Sequence, residues 1–248
     1  MLACLSRRSF ISDSERASLL FLNPANPESL PKQMQEFELA VQQTIWNQNL
    51  LQVKFVIGSP QDKKDRVKTI VENNINKTNF MNLKFQFVAK DEYAHIRISF
   101  FPNQHSWSAI GNEALFISED FPTMNLSDLS QGNILHQFAH AFGMPHVHKY
   151  VTNGVNWNKP IVDKVFAGLP HEWKTQEAME KNFYSIYNLN QFYNYRNYDK
   201  DSLMLNIWPC EFFLKPPTEI CDIKLKNNYS IEDKQFFESL AFLFKFYL

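Results

Sequence analysis

From Leu50 the chain reads Leu-Leu-Gln-Val-Lys-Phe-Val-Ile-Gly, apolar and polar by turns, and stops at Gly58-Ser-Pro. Alternation sends successive side chains to opposite faces, so this stretch predicts a strand running into a turn. Residues 61–76 switch period: Val67, Ile70, Val71 and Ile75 recur at helical spacing, the mark of an amphipathic helix. Leu83-Lys-Phe-Gln-Phe-Val and Ile96-Arg-Ile-Ser-Phe alternate again and predict two more strands. Residues 106–115 fit an edge strand or bulged loop, and Thr123-Met-Asn-Leu a short fourth strand. A helix follows at about 130–142, its face carrying Ile134, Leu135, Phe138 and Phe142 toward a core.

Beyond that helix the pattern loosens. Residues 160–167 and 174–182 predict short helices, and 184–198 a polar, Tyr-rich loop. Ser230-Ile-Glu-Asp is an N-cap box that opens a helix through Phe246, with Phe236, Phe237, Leu240 and Phe244 on one side. At the other end, residues 1–44 contain Asn-Pro-Ala-Asn-Pro and little periodicity; they read as an irregular N-terminal extension with one helix near 31–44.

The candidate chemistry sits at the end of the helix near 130–142. Residues 136–146 read His-Gln-Phe-Ala-His-Ala-Phe-Gly-Met-Pro-His. His136 and His140 are four apart and share a helix face. Gly143 can take the positive φ that ends a helix sharply, and His146 can then swing back toward the other two. Three neutral imidazoles meeting at one point, with a fourth position open, are the ligand set of a catalytic zinc site holding one ion. The position after the first histidine carries the general base in zinc peptidases of this pattern, as a glutamate. Here it is Gln137, an amide that forms hydrogen bonds but takes up no proton at neutral pH.

The run resembles the long metzincin signature H-E-x-x-H-x-x-G-x-x-H. The likeness extends to His95-Ile-Arg-Ile-Ser-Phe-Phe, Ser106-Trp-Ser-Ala-Ile-Gly and Pro122-Thr-Met-Asn-Leu, which look like the strand, edge-strand and pre-helix segments of astacin-like metallopeptidases, especially their microbial and fungal relatives. Asp201-Ser-Leu-Met-Leu-Asn is similar to the family's Met-turn, which would place Met204 beneath the metal. The resemblance implies an α+β, two-lobed zincin: a twisted mixed sheet and the active-site helix in an upper lobe (45–146), and an irregular lower lobe (147–248) ending in the C-terminal helix. It also implies a cleft between the lobes, a polypeptide substrate added as a strand, and an edge strand lined by Trp107 and Ile110. The alternative for Trp107 is plain packing in the upper lobe.

Three positions depart from the family near the metal. Gln137 replaces the glutamate, Val147 stands where a structural glutamate follows the third histidine, and Asn206 falls where the Met-turn tyrosine would help hold an oxyanion. General-base catalysis is worth about 10²–10⁴ in rate and an oxyanion donor a comparable factor. None of the three is an expected ligand. Two readings follow from the resemblance: a zinc metalloendopeptidase with weak or lost activity, or a pseudopeptidase that captures a peptide or protein without cutting it. His95 and His105 have no spacing that assigns them to the site, and His148 reads as a residue behind the ligands or at the surface rather than as a ligand.

Composition narrows the setting. A net charge of −1 argues against a nucleic-acid partner, and no apolar run is long enough to span a bilayer. Met1-Leu-Ala-Cys-Leu-Ser-Arg-Arg puts its basic residues after the apolar ones, the reverse of a secretory signal. The expectation is a cytosolic protein, export without a cleaved signal, or a chain short of the full precursor. Cys4, Cys210 and Cys221 make no disulfide framework; Cys210 and Cys221 pair if the compartment oxidises and stay thiols if it does not.

Overall fold

The computed structural model describes residues 46–78, 83–149, 156–167, 179, 184, 199–206, 208–214 and 226–244. A five-stranded sheet organises the first part. Its strands are β1 (Leu50–Phe55), β2 (Lys84–Phe87), β3 (Ile96–Ser99), β4 (Trp107–Ser108) and β5 (Met124–Asn125), in the spatial order β2-β1-β3-β5-β4. β1 lies parallel to both β2 and β3, β3 parallel to β5, and β4 antiparallel to β5. Helix α1 (Gln61–Val71) makes the crossover from β1 to β2, as a parallel pair requires.

The burial of each element follows its sequence period. In β1, Leu51, Val53 and Phe55 point into the core while Leu50 is exposed. The four residues of 61–76 expected to face inward, Val67, Ile70 and Val71 on α1 and Ile75 just beyond it, are all buried. The regular helix ends at Val71, and residues Glu72–Asn76 form one wider turn. That turn swings the Asn76 amide against β2, where it accepts from the Phe85 N–H (2.9 Å) and donates to the Phe85 carbonyl (2.8 Å).

β3 is buried on both faces, so its polar residues need internal partners. The Arg97 guanidinium donates to the carbonyls of Phe121 and Ile117, both at 2.7 Å, and so ties down the segment leading to β5. The Ser99 hydroxyl donates to Asn125 Oδ1 (2.9 Å) on β5.

Helix α2 (Gln131–Phe142) lies against this sheet. Ile134, Leu135, Phe138 and Phe142 are all buried, as their spacing predicts, and Phe138 meets Phe85 edge-to-face at 4.9 Å. Of residues 106–115, read as an edge strand or bulged loop, only a short piece is strand. β4 spans two residues, and Gly111, at φ 54°, turns the chain into a tight helical turn over Gly111–Phe116. A residue other than glycine resists that φ, so Gly111 sets the boundary between the short strand and the turn.

A second apolar cluster gathers Trp157, Val162, Phe166, Met179, Trp208, Phe212 and Phe213. Helix α3 (Lys159–Phe166) carries Val162 and Phe166 into it. Asn158 N–H donates to the Phe212 carbonyl (2.7 Å), and Leu214 N–H to that of Asn156 (2.8 Å). Cys210 is disulfide-bonded, which removes the free-thiol reading for this residue; its partner lies outside the described residues. Helix α4 (Ile231–Phe244) opens on the expected box: Ser230 Oγ accepts from Asp233 N–H, and Asp233 Oδ2 from Ser230 N–H, both at 3.0 Å. The N-terminal extension, its helix at 31–44, most of 174–182 and nearly all of the 184–198 loop fall outside the described residues.

Candidate metal centre

α2 is fixed at both ends before its histidines matter. At its start Ser130 Oγ accepts from Asn133 N–H (3.4 Å), and the Ser130 hydroxyl donates to Asp128 (2.7 Å). At its end Gly143, at φ 123°, lets the Gly143 and Met144 N–H groups turn back onto the Ala139 carbonyl. The chain leaves α2 in that turn and brings His146 back beside the helix.

The three imidazoles converge. His146 Nε2 is 3.2 Å from His136 Nε2 and 3.0 Å from His140 Nε2, and the three ligand atoms all lie within 4.8 Å of one another. His136 Nδ1 lies 2.8 Å from the Leu203 carbonyl and His140 Nδ1 2.8 Å from that of Met144. A carbonyl only accepts, so each Nδ1 carries the hydrogen and donates. Each Nε2 of that pair therefore presents a lone pair toward His146 Nε2. That atom carries at most one hydrogen, which satisfies one neighbour and leaves the other lone pair facing it.

A metal ion resolves all three at once. A tetrahedral centre with zinc–nitrogen bonds of about 2.0–2.1 Å holds its ligand nitrogens roughly 3.3–3.4 Å apart, close to the spacing here. Burial also keeps the ligands neutral. It lowers the pKa of His136 to about 4, and that of His140 well below its ordinary value, His136 adding to the effect. The neutral imidazole is the form that binds metal.

The remaining sequence candidates lie around this point. Gln137 is fully buried and its amide donates to Asn133 Oδ1 (3.4 Å). The Asn133 NH₂ in turn donates to the Asp128 carbonyl (2.6 Å) and to Ser106 Oγ (2.9 Å). Because that carbonyl only accepts, Asn133 is held with its oxygen toward residue 137. Residue 137 must then donate, which an amide does and a carboxylate does not.

The 202–206 segment, read as a Met-turn, touches both ends of the histidine run. The Leu203 carbonyl accepts from His136, and the Met204 carbonyl accepts from Val147 N–H (3.1 Å). Met204, Val147 and Asn206 are all buried. Trp107 and Ile110, read either as lining a substrate edge or, for Trp107, as packing in the upper lobe, are buried at 7% and 3% exposure, and β4 forms the sheet edge. His148, unassigned by spacing, stacks on His146 with ring centroids 5.6 Å apart and meets Trp157 and Trp208 edge-on. His95 lies elsewhere, its Nδ1 accepting from Gln52 N–H (3.0 Å).

Sequence reasoning missed the carbonyls of Leu203 and Met144, because a backbone group has no residue type to notice. It also saw Asp233 only as a helix cap.

No family model matches the sequence, and no curated protein does. Solved structures do. The chain is 24% identical to one described as the structure of myroilysin, with a TM-score of 0.64, covering 82% of this chain and 97% of that one. A second structure of myroilysin is also 24% identical, with a TM-score of 0.57 and coverage of 79% and 85%. High choriolytic enzyme 1, a hatching enzyme zinc-protease from the medaka fish Oryzias latipes, is 15% identical, with a TM-score of 0.51 and coverage of 82% and 95%. At these identities the likeness is one of fold, and that fold is the α+β, two-lobed zincin that the histidine run and the strand pattern predict.

Proposed function

We propose that this chain is a metalloendopeptidase-type protein holding one zinc ion on His136, His140 and His146, with hydrolytic activity weak or lost. The observation that supports it best is the meeting of three Nε2 atoms whose ring partners are oriented by acceptor-only carbonyls. The zinc-protease named among the structural relatives adds to the case through its fold.

His136, His140 and His146 would hold the zinc ion, which would supply Lewis acidity when bound. The protein's own groups then decide the outcome. His136 and His140 stay neutral through burial. Gln137 can orient a water or a carbonyl by hydrogen bonding, but it carries no proton from one to the other. Asn206 takes the place of a tyrosine hydroxyl that would help hold an oxyanion. A polypeptide lying along the edge at Trp107 and Ile110 is the substrate or ligand this reading implies.

The Gln137–Asn133 contact favours a second reading, a zinc-stabilised module that binds a peptide or protein without cutting it. The polar chain from Asp128 through Asn133 ends on an amide donor rather than on a base.

One experiment separates the readings. The native chain and Gln137→Glu are loaded with zinc, their metal content measured, and both incubated with a peptide library. Turnover by the native chain, abolished by a chelator, supports the peptidase. Turnover only in Gln137→Glu supports the binding module. A native chain that takes up no zinc rejects both.

A further inference from the structure

The N-terminus of α4 does more than end a loop. The Asp233 carboxylate accepts three hydrogen bonds in one small region: Oδ2 takes Ser230 N–H (3.0 Å) and Leu203 N–H (2.8 Å), and Oδ1 takes the Ser202 hydroxyl (2.5 Å). The capping box needs only the bond to Ser230 and its reciprocal. The bonds to residues 202 and 203 are surplus to a cap, and they lead to the metal.

The path runs through a single peptide group. Ser202 Oγ, while donating to Asp233, accepts from Met204 N–H (2.9 Å). That N–H belongs to the 203–204 peptide, whose carbonyl is the Leu203 oxygen receiving His136 Nδ1–H at 2.8 Å. The carboxylate thus grips one edge of this peptide through a hydroxyl while His136 grips the other. Asp233 is buried at 1% exposure and Ser202 likewise, so water does not compete for these bonds.

We propose that Asp233 is a positioning residue for the metal centre: acting through Ser202 and the Leu203–Met204 peptide, it sets the ring orientation and Nδ1–H tautomer of His136. A carboxylate bonded directly to a metal-bound histidine is a common device for orienting the ring and raising its basicity. Here a hydroxyl and a peptide stand between the two, and polarisation passes along the chain of hydrogen bonds. Position 233, in α4, thereby governs a ligand in α2.

The inference rests on the metal reading above, and its test keeps the two apart. Cobalt(II) replaces zinc in the purified chain, and affinity and the visible absorption band are recorded for native protein, Asp233→Asn, Ser202→Ala and Ser230→Ala. Asp233→Asn and Ser202→Ala are expected to lose about 10–100-fold in metal affinity and to shift the cobalt band. Ser230→Ala removes the hydroxyl of the cap while sparing the path, and is expected to lower the melting temperature with the cobalt band unchanged. Circular dichroism identifies any variant that fails to fold; Ser202→Ala, which deletes one oxygen, decides the matter if Asp233→Asn does. Native affinity and an unshifted band in a folded Asp233→Asn or Ser202→Ala overturn the inference while leaving the metal reading intact. A native chain that takes up no cobalt overturns both.

Discussion

The cluster built on the sheet and the cluster around Trp157 and Trp208 both reach the histidine run, and they do so with different materials. The first is made of regular elements: Phe138 of α2 is fully buried and packs against Phe85 of β2, so His136 and His140 inherit a rigid helical spacing. The second is made of one short helix, α3, of tight turns and of stacked aromatic rings, with the disulfide-bonded Cys210 in the turn that carries Phe212. It reaches the site through His148, which lies between His146 and the two tryptophans. Periodic hydrogen bonding positions two ligands; side-chain packing backs the third. One histidine cluster thus draws on two kinds of order, and they should fail separately.

The sharpest way to break the comparison is at the helix. Phe138→Ala empties a fully buried ring site and should cost about 3–5 kcal/mol in urea unfolding. Loss of metal uptake is expected with it; retention of tight uptake would show that α2 owes its place to something other than that ring.

Acid should come next, in metal-free protein. His136 has its pKa lowered by burial to about 4 in the folded state, against 6.5 unfolded. The unfolded chain therefore binds more protons as pH falls, and stability present above pH 6.5 is lost toward pH 4. The loss is on the order of 3 kcal/mol from this group, with His140 acting in the same direction. Saturating zinc should move the acid limb to lower pH, since protons and metal compete for the same lone pairs. Coincident melting curves at pH 7 and pH 5 without metal would contradict the assignment.

Reduction tests the second cluster alone. Opening the Cys210 disulfide should destabilise it by about 2 kcal/mol and alter tryptophan emission from Trp157 and Trp208. Far-ultraviolet circular dichroism from α1 and α2 should persist. Simultaneous collapse of both signals would mean one cooperative unit.

The smallest effect sharpens the link between the clusters and α4. The Tyr229 hydroxyl donates to the Leu135 carbonyl (2.8 Å) inside the first cluster. Tyr229→Phe should cost about 1 kcal/mol in thermal unfolding and leave metal affinity unchanged.

Much of this was legible in the chain. The inward residues of α1, α2 and β1 follow from periodicity, because a helix or strand repeats its geometry every few residues. The convergence of His136, His140 and His146 follows from their spacing and Gly143. The length of β4 did not follow, since the residue types of 106–115 suit an edge strand or a bulged loop equally and do not mark where Gly111 turns the backbone. Nor did the fit of α2 against the 226–229 segment: a Cβ on Gly132 would stand 2.1 Å from the Lys226 carbonyl. Nothing near Gly132 in sequence announces that approach.

The sequence by itself determined that His136, His140 and His146 could share an ion, and that Gln137 beside them carries no proton, because those are matters of residue type and local period. Tertiary structure alone decided which ring nitrogen faces inward. That choice depends on a carbonyl 67 positions from His136 and a carboxylate 30 positions beyond that, groups that only the folded chain brings within hydrogen-bonding distance.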